Sequence, residues 1–347
     1  MFVYKMLSKP IPAEFRLQSH QVPEMFREKC IHSGYRKPDC SLREAVVSAF
    51  WMTNETVNFW THFAPFFYYG SKFCQFCADQ KFLGDDYHWS FLIFVFAVCL
   101  CFLVSSMAHL LNIVSPAVRH VTFFFDYMAL SFYAYGGAAA YHAYSSDRAF
   151  IESPFSRIYL YIAFSGSVAC TLMSCESRCS SSRRAWPMRV FAFIVPYATG
   201  VLPLADRLLR HFLIPNESRV GDFGIDNALA ISFHCRHIIS AAIGFSAYGT
   251  HLPESLFPGK FDYVGNSHHV LHIFGLIASY HQIWAVHADM NNRSSILRKR
   301  HSGLFGQTDL TLAVLLMIIN VVIVTFYTVL RLPCADSKRR AVEGKLR

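Results

Sequence analysis

Charge is scarce in this chain. Only 16% of its 347 residues are Asp, Glu, Lys or Arg, against about 25% in an ordinary soluble domain. That deficit excludes a disordered chain, a coiled coil and an ordinary soluble enzyme of this length. A second CxxC is missing beside Cys74-Cys77, which leaves that pair as a disulfide or at most half a metal site. The 11 cysteines are odd in number, so they cannot all pair within the chain. Cys99, Cys101 and Cys170 lie inside apolar runs and read as small buried hydrophobes. The first 45 residues lack an apolar run ahead of a small-residue cleavage site, so no cleavable signal peptide is expected. No internal repeat of about 20–50 residues is evident.

What is present is apolar and aromatic. Hydrophobic residues make up 53%, aromatics 16%, with 33 Phe and 17 Tyr, and the mean hydropathy is +0.28. Such a chain needs an apolar solvent, and the reading is an all-α polytopic transmembrane helical bundle. The net charge of +9 sits in short clusters between apolar runs, which fits membrane topology and not nucleic acid.

Eight segments have spanning length, roughly 54–74, 89–111, 120–144, 157–177, 188–208, 228–250, 267–288 and 308–331. The fifth holds Pro196 and Pro203 and is expected to kink. The division that follows is an N-terminal cytosolic segment 1–48, a transmembrane domain 49–331 and a basic cytosolic tail 332–347. Basic residues before the first span, after the fourth and after the eighth place both termini in the cytosol; the cluster Arg293, Arg298, Lys299 and Arg300 argues mildly against it. The glycosylation motifs at Asn216 and Asn292 then fall outside, whereas that at Asn54 abuts the first span.

Ionisable residues inside a membrane are costly and default to function. His109 ends the second span, one turn after Ser105, and Asp126 lies early in the third. His268 and His272, spaced i,i+4, share one face at the start of the seventh. The second span ends, and the third and seventh begin, on one side of the membrane, so all these groups lie at similar depth. Three His with an open fourth position make a catalytic-type zinc site, which lowers the pKa of a bound water to about 7. Plainer readings stand beside it: a lone intramembrane His as a hydrogen-bonding core residue, and Ser105 as a helix-packing residue. The polar run Thr53 to His62, with Asn54 and Glu55, reads as a helix cap with a Trp anchor, or as a network that locks the first span or lines the site.

Several blocks resemble the progestin and adipoQ receptor family of membrane proteins. They are Ser33-Gly34-Tyr35-Arg36, Thr53 to His62, Ser105-Ser106-Met107-Ala108-His109 with Phe125-Asp126-Tyr127, and Phe261 to His272. The eighth span and Phe261-Asp262-Tyr263-Val264-Gly265 resemble its membrane progestin receptor branch. The chain departs from the pattern at Asn266, where a His is usual, and at His269, where a Gln is usual. The resemblance implies a seven-helix core plus an eighth C-terminal span, and zinc on His109, His268 and His272 with Ser105 and Asp126 close by. It implies a plasma-membrane receptor for a progestin-like steroid, with a cytosolic signalling protein and membrane lipid as partners and no nucleic acid. It also implies kinship with alkaline ceramidases, hence an alternative: a zinc-dependent amidohydrolase of ceramide-like sphingolipids, with Asp126 taking the proton of water and Ser105 aiding the oxyanion.

Overall fold

The computed structural model describes residues 16–79, 83–180, 182–213, 228–300 and 305–333. The regular secondary structure of these residues is helical, apart from one isolated bridge between Leu17 and Tyr35. The elements are α1 (Leu42–Ser48), α2 (Thr56–Ala78), α3 (Trp89–Leu111), α4 (Pro116–Ala140), α5 (Arg148–Glu152), α6 (Pro154–Cys179), α7 (Ala185–Gly200), α8 (Leu202–Leu213), α9 (Ala228–Thr250), α10 (Ser267–Asn292), α11 (Ser294–Arg300) and α12 (Phe305–Phe326). Five-residue π turns, Tyr141–Ser145 and Tyr327–Arg331, extend α4 and α12.

Four helical stretches are long and apolar enough to cross a membrane: Asp86–Leu111, Pro154–Cys179, Ala228–Thr250 and Gly306–Arg331. The pair α7 and α8, bent by 57°, makes a fifth if it forms one span. The protein is thus a polytopic helical membrane protein. The sequence led us to expect eight spans. In the other three places the chain is helical, as α2, α4 and α10 with 23, 25 and 26 residues, but too polar to pass on composition. Much of that polarity is turned inward: Asn58 and His62, His120 and Ser131, and His269, His272, Gln282 and Asp289 are all buried.

The bend has a chemical cause. Pro203 sits in the first turn of α8 and has no N–H to return to Thr199. At the break the single Tyr159 hydroxyl proton is directed mainly to Gly200 O, at 2.8 Å, with Thr199 O at 3.3 Å.

Two compact units can be distinguished along the described chain. The first comprises residues 16–67, 102–126 and 237–279. Its N-terminal stretch packs Val22, Phe26, Ile31, Tyr35, Cys40 and Ala45 on Ile113. Gly34 has φ +84°, and a Cβ there would meet the Tyr263 ring at 3.0 Å, so this crossing needs glycine. The Asp262 carboxylate accepts from His32 N (3.0 Å), Ser33 N (2.7 Å) and Ser33 Oγ (2.7 Å), which ties the stretch to the loop before α10. The α1 start carries a capping box between Ser41 and Glu44.

The second unit comprises residues 68–101, 127–236 and 280–333. Tyr135, Tyr159, Ile93, Ala97 and Leu316 anchor its apolar core. Gly136 lets α4 approach α3, since a Cβ there would lie 3.2 Å from Ala97 Cβ. Polar groups are matched inside it. One oxygen of the buried Asp289 accepts from Arg207 (2.7 Å), His234 Nε2 (2.8 Å) and Ser145 Oγ (2.7 Å). Arg293 is buried and donates to Tyr144 O (2.6 Å) and Ser146 O (2.7 Å), and Arg298 pairs with Asp85 at 2.5 Å. Of the four basic residues that weigh against the expected topology, Arg293 is thus buried in polar contacts and Arg298 is exposed and ion-paired. α12 docks through Ser90 on Asp309, Tyr135 Oη on Asp309 O (3.2 Å) and Tyr327 Oη on Glu176 (3.0 Å).

The described cysteines, including Cys74 and Cys77 on α2, are free thiols. Asn292 is exposed at the end of α10 and Asn54 is buried. Asn216, Lys81 and the tail 334–347 lie outside the described residues.

Candidate metal centre

The last turn of α3 and the first turns of α10 each present imidazoles inward. His109 and His272 are buried and His268 is half-buried. One ring nitrogen from each lies within 4.8 Å of the others, so the group could hold a metal ion. The ring centroids are 4.7 to 5.0 Å apart.

The partners of two of the rings place their Nδ1 protons. His109 Nδ1 is 2.7 Å from Glu55 Oε2, a carboxylate that only accepts, so Nδ1 carries the proton and Nε2 the lone pair. His272 Nδ1 is 3.3 Å from Thr61 Oγ1. That hydroxyl donates to Val57 O at 2.6 Å, which leaves it a lone pair to accept from Nδ1–H. The Nε2 lone pair of His272 is again left free. His109 Nε2 and His268 Nε2 stand 3.2 Å apart. That separation suits a proton shared between the two nitrogens or a metal ion bound by both. The edge of a tetrahedron with Zn–N bonds of about 2.0–2.1 Å is about 3.3 Å. The donor set and its spacing therefore fit a metal such as zinc.

Glu55 is the hub behind the ligands. Besides His109 it accepts from Asn112 Nδ2 (2.7 Å) and Asn58 Nδ2 (2.9 Å). A carboxylate on the far nitrogen of a metal-binding His fixes the ring and raises its basicity. His62 stacks on His272 at 3.9 Å with planes 16° apart, and its Nδ1 is buried without a hydrogen-bond partner among the described residues. Asn54 contributes main chain: its N–H donates to Gly34 O (3.0 Å) and its carbonyl lies 3.3 Å from His269 Nε2. Ser105 is buried on α3 one turn before His109. Asp126 is half-buried on α4, three residues past Phe123, whose ring meets His109 at 5.8 Å.

Three residues that sequence reasoning did not assign to the site orient this region. His269 accepts from Gly265 N at 3.0 Å through Nδ1, so its Nε2–H points to Asn54 O. Asn266 caps α10 by accepting the His269 N–H at 3.0 Å. Glu254 accepts both the N–H (2.7 Å) and the hydroxyl of Ser267. The two departures from the family pattern, Asn266 and His269, thus bond to each other at the entry of the ligand helix. An Asn directly before a helix was the readable signal; a His as a latch has none in sequence.

Fold and site together define a polytopic helical membrane protein with three inward histidines able to hold a metal ion. A profile for haemolysin-III-related proteins matches residues 50–283. The chain belongs to that family, the progestin and adipoQ receptors, on the membrane progestin receptor side. It is 35% identical over 317 residues to human membrane progestin receptor gamma, covering 90% of this chain and 92% of that protein. Against human membrane progestin receptor delta it is 36% identical over 326 residues, 93% and 92% of the two chains. Against zebrafish (Danio rerio) membrane progestin receptor gamma-B it is 35% identical over 340 residues, 93% and 95%.

Proposed function

We propose that this chain is a plasma-membrane receptor that takes a progestin-like steroid among its helices, with zinc on His109, His268 and His272. The observation that carries the steroid reading is similarity along about nine-tenths of the chain to proteins named as progestin receptors, human gamma and delta among them. The apolar and aromatic composition is compatible with such a ligand, because small-molecule sites are mostly apolar with a few polar anchors. Tyr127 and Tyr133 on α4 are candidate anchors, with Tyr127 facing the Arg178 guanidinium at 3.1 Å. Saturable, competable binding of labelled progesterone to membranes carrying the full chain is the test. Equal binding to membranes without it sinks the steroid reading.

The topology that goes with this proposal has eight spans, a seven-helix core plus α12, and both termini cytosolic. The burial of Arg293, which donates to the Tyr144 and Ser146 carbonyls, supports it by giving that arginine a structural role.

A second reading rests on the ligand set. Three protein ligands are the pattern of catalytic zinc, whereas a structural site is closed by four. When bound there, zinc would act as a Lewis acid and make water a better nucleophile at neutral pH. Glu55 and Thr61 would hold His109 and His272 with their Nε2 atoms inward. In hydrolysis of a lipid amide, Asp126 would accept a proton from the attacking water and return it to the amide nitrogen as the C–N bond breaks, releasing fatty acid and the amine, while the Ser105 hydroxyl would donate to the carbonyl oxygen. Release of fatty acid from ceramide by purified protein, absent in Asp126→Ala, is the measurement. Turnover that survives Asp126→Ala removes this assignment.

A further inference from the structure

The last four carbonyls of any helix have no partner within it, and buried ones must find one elsewhere. For α3 the account closes completely. Ala108 O accepts from Asn112 N (3.0 Å) and Leu111 O from Val114 N (3.0 Å). His109 O and Leu110 O, between them, accept from one residue of the N-terminal stretch: Arg36, at 2.7 Å and 3.0 Å. Arg36 is only 3% exposed. Its remaining contacts are Ser48 Oγ (3.0 Å) and Asn112 Oδ1 (2.6 Å). Asn112 in turn donates to Glu55 Oε1 at 2.7 Å, and Glu55 holds His109 Nδ1. Only one orientation of the Asn112 amide meets both a guanidinium and a carboxylate.

His109 is thus gripped twice, its ring by Glu55 and its carbonyl by Arg36, and Asn112 joins the two grips. We propose that Arg36 is a positioning residue for the metal centre: it sets the turn that carries His109 by capping α3 and by orienting Asn112 under Glu55. The proposal rests on the metal reading above. A cation is the suitable group here, because the C-terminal end of a helix carries partial negative charge. A guanidinium suits it better than an ammonium, since its donors diverge in one plane toward several acceptors. Without Arg36, two buried carbonyls lose their donor at the turn that bears the ligand, and the Asn112 amide is free to rotate away from Glu55.

The experiment uses the full chain in detergent, loaded with Co²⁺ for its visible ligand-field bands and with Zn²⁺ for release to a colorimetric chelator. The variants are Arg36→Met, Arg36→Lys and Asn112→Leu. Tyr35→Phe is the control: Tyr35 Oη bonds Glu28 and Ile31 in the same stretch and touches no part of α3 through that hydroxyl. Arg36→Met and Asn112→Leu are expected to release zinc about tenfold faster, as when an outer partner of a metal ligand is lost. Their cobalt bands should shift, and Arg36→Lys should fall between them and the wild type. Tyr35→Phe should lower the melting temperature yet keep wild-type bands and release. Wild-type release and bands in Arg36→Met overturn the proposal while leaving the metal reading intact. So does a Tyr35→Phe variant that loses metal as fast as Arg36→Met. A wild-type chain that takes up neither ion overturns both.

Discussion

Replacing Glu55 by Gln keeps the shape of the side chain and removes its charge, which makes it a direct probe of the metal centre. The carboxylate accepts three hydrogen bonds, from His109 Nδ1 and Asn112 Nδ2 at 2.7 Å each and from Asn58 Nδ2 at 2.9 Å. A glutamine oxygen turned toward His109 and Asn58 preserves two of these but sets its own NH2 against that of Asn112. Turning the Asn112 amide over relieves that clash and creates another, because its NH2 then faces the Arg36 guanidinium, 2.6 Å away. A glutamine turned the other way presents its NH2 to His109. With His109 Nε2 on a metal and its proton held on Nδ1, every arrangement opposes two donors inside the protein, which costs about 1–3 kcal/mol of stability. The lost carboxylate also lowers the basicity of His109, and outer-partner changes of this kind cost about 10–100-fold in metal affinity. Chelator competition on the solubilised full chain, beside a thermal melt of the zinc-loaded form, reads both quantities. Zinc affinity within about threefold of wild type would refute the view that Glu55 tunes the ligand.

Three other outcomes are expected. His272→Ala should drop bound zinc far below one ion per chain by atomic emission, whereas Asp126→Ala should retain it; the same loss in both variants would make Asp126 a ligand. Asp289→Ala removes the carboxylate that Arg207 and His234 share, and should cost about 3–5 kcal/mol in a detergent unfolding titration; a loss below about 1 kcal/mol would show the cluster to be solvated. An epitope placed after Arg347 should be reached by antibody only in permeabilised cells, and labelling of intact cells would reverse the proposed topology.

Much of the architecture was readable because a lipid core demands long apolar runs, and α3 and α12 are such runs on every face. The helices α2, α4 and α10 were readable as segments, but their polar residues serve inward contacts that hydropathy cannot distinguish from loop polarity. Of the site, the pair His268 and His272 follows from helical spacing alone, and His109 from the side of the membrane at which α3 ends. Arg36 was legible only as one basic residue among several in a polar stretch. Its partners are carbonyl oxygens 73 and 74 residues away, and main-chain acceptors leave no mark on sequence. Glu55 could be singled out by its setting at a span entrance, but its contact with His109 is a tertiary fact. Pro203 announced a bend, while the role of Tyr159 in mending it depends on a neighbouring helix.

The clasp between Ser33 and Asp262 bears on how the protein is made. Its two halves are 229 residues apart. At about 5–20 residues per second, the ribosome needs about 10–45 s to travel from one to the other. Throughout that interval the amides of His32 and Ser33 have no Asp262 to receive them, and Gly34 has no Tyr263 ring to lie against. The stretch around Ser33 is therefore among the last parts to be completed. A nascent chain arrested before Asp262 should show a protease-sensitive N-terminal stretch, and one arrested well after it a protected one.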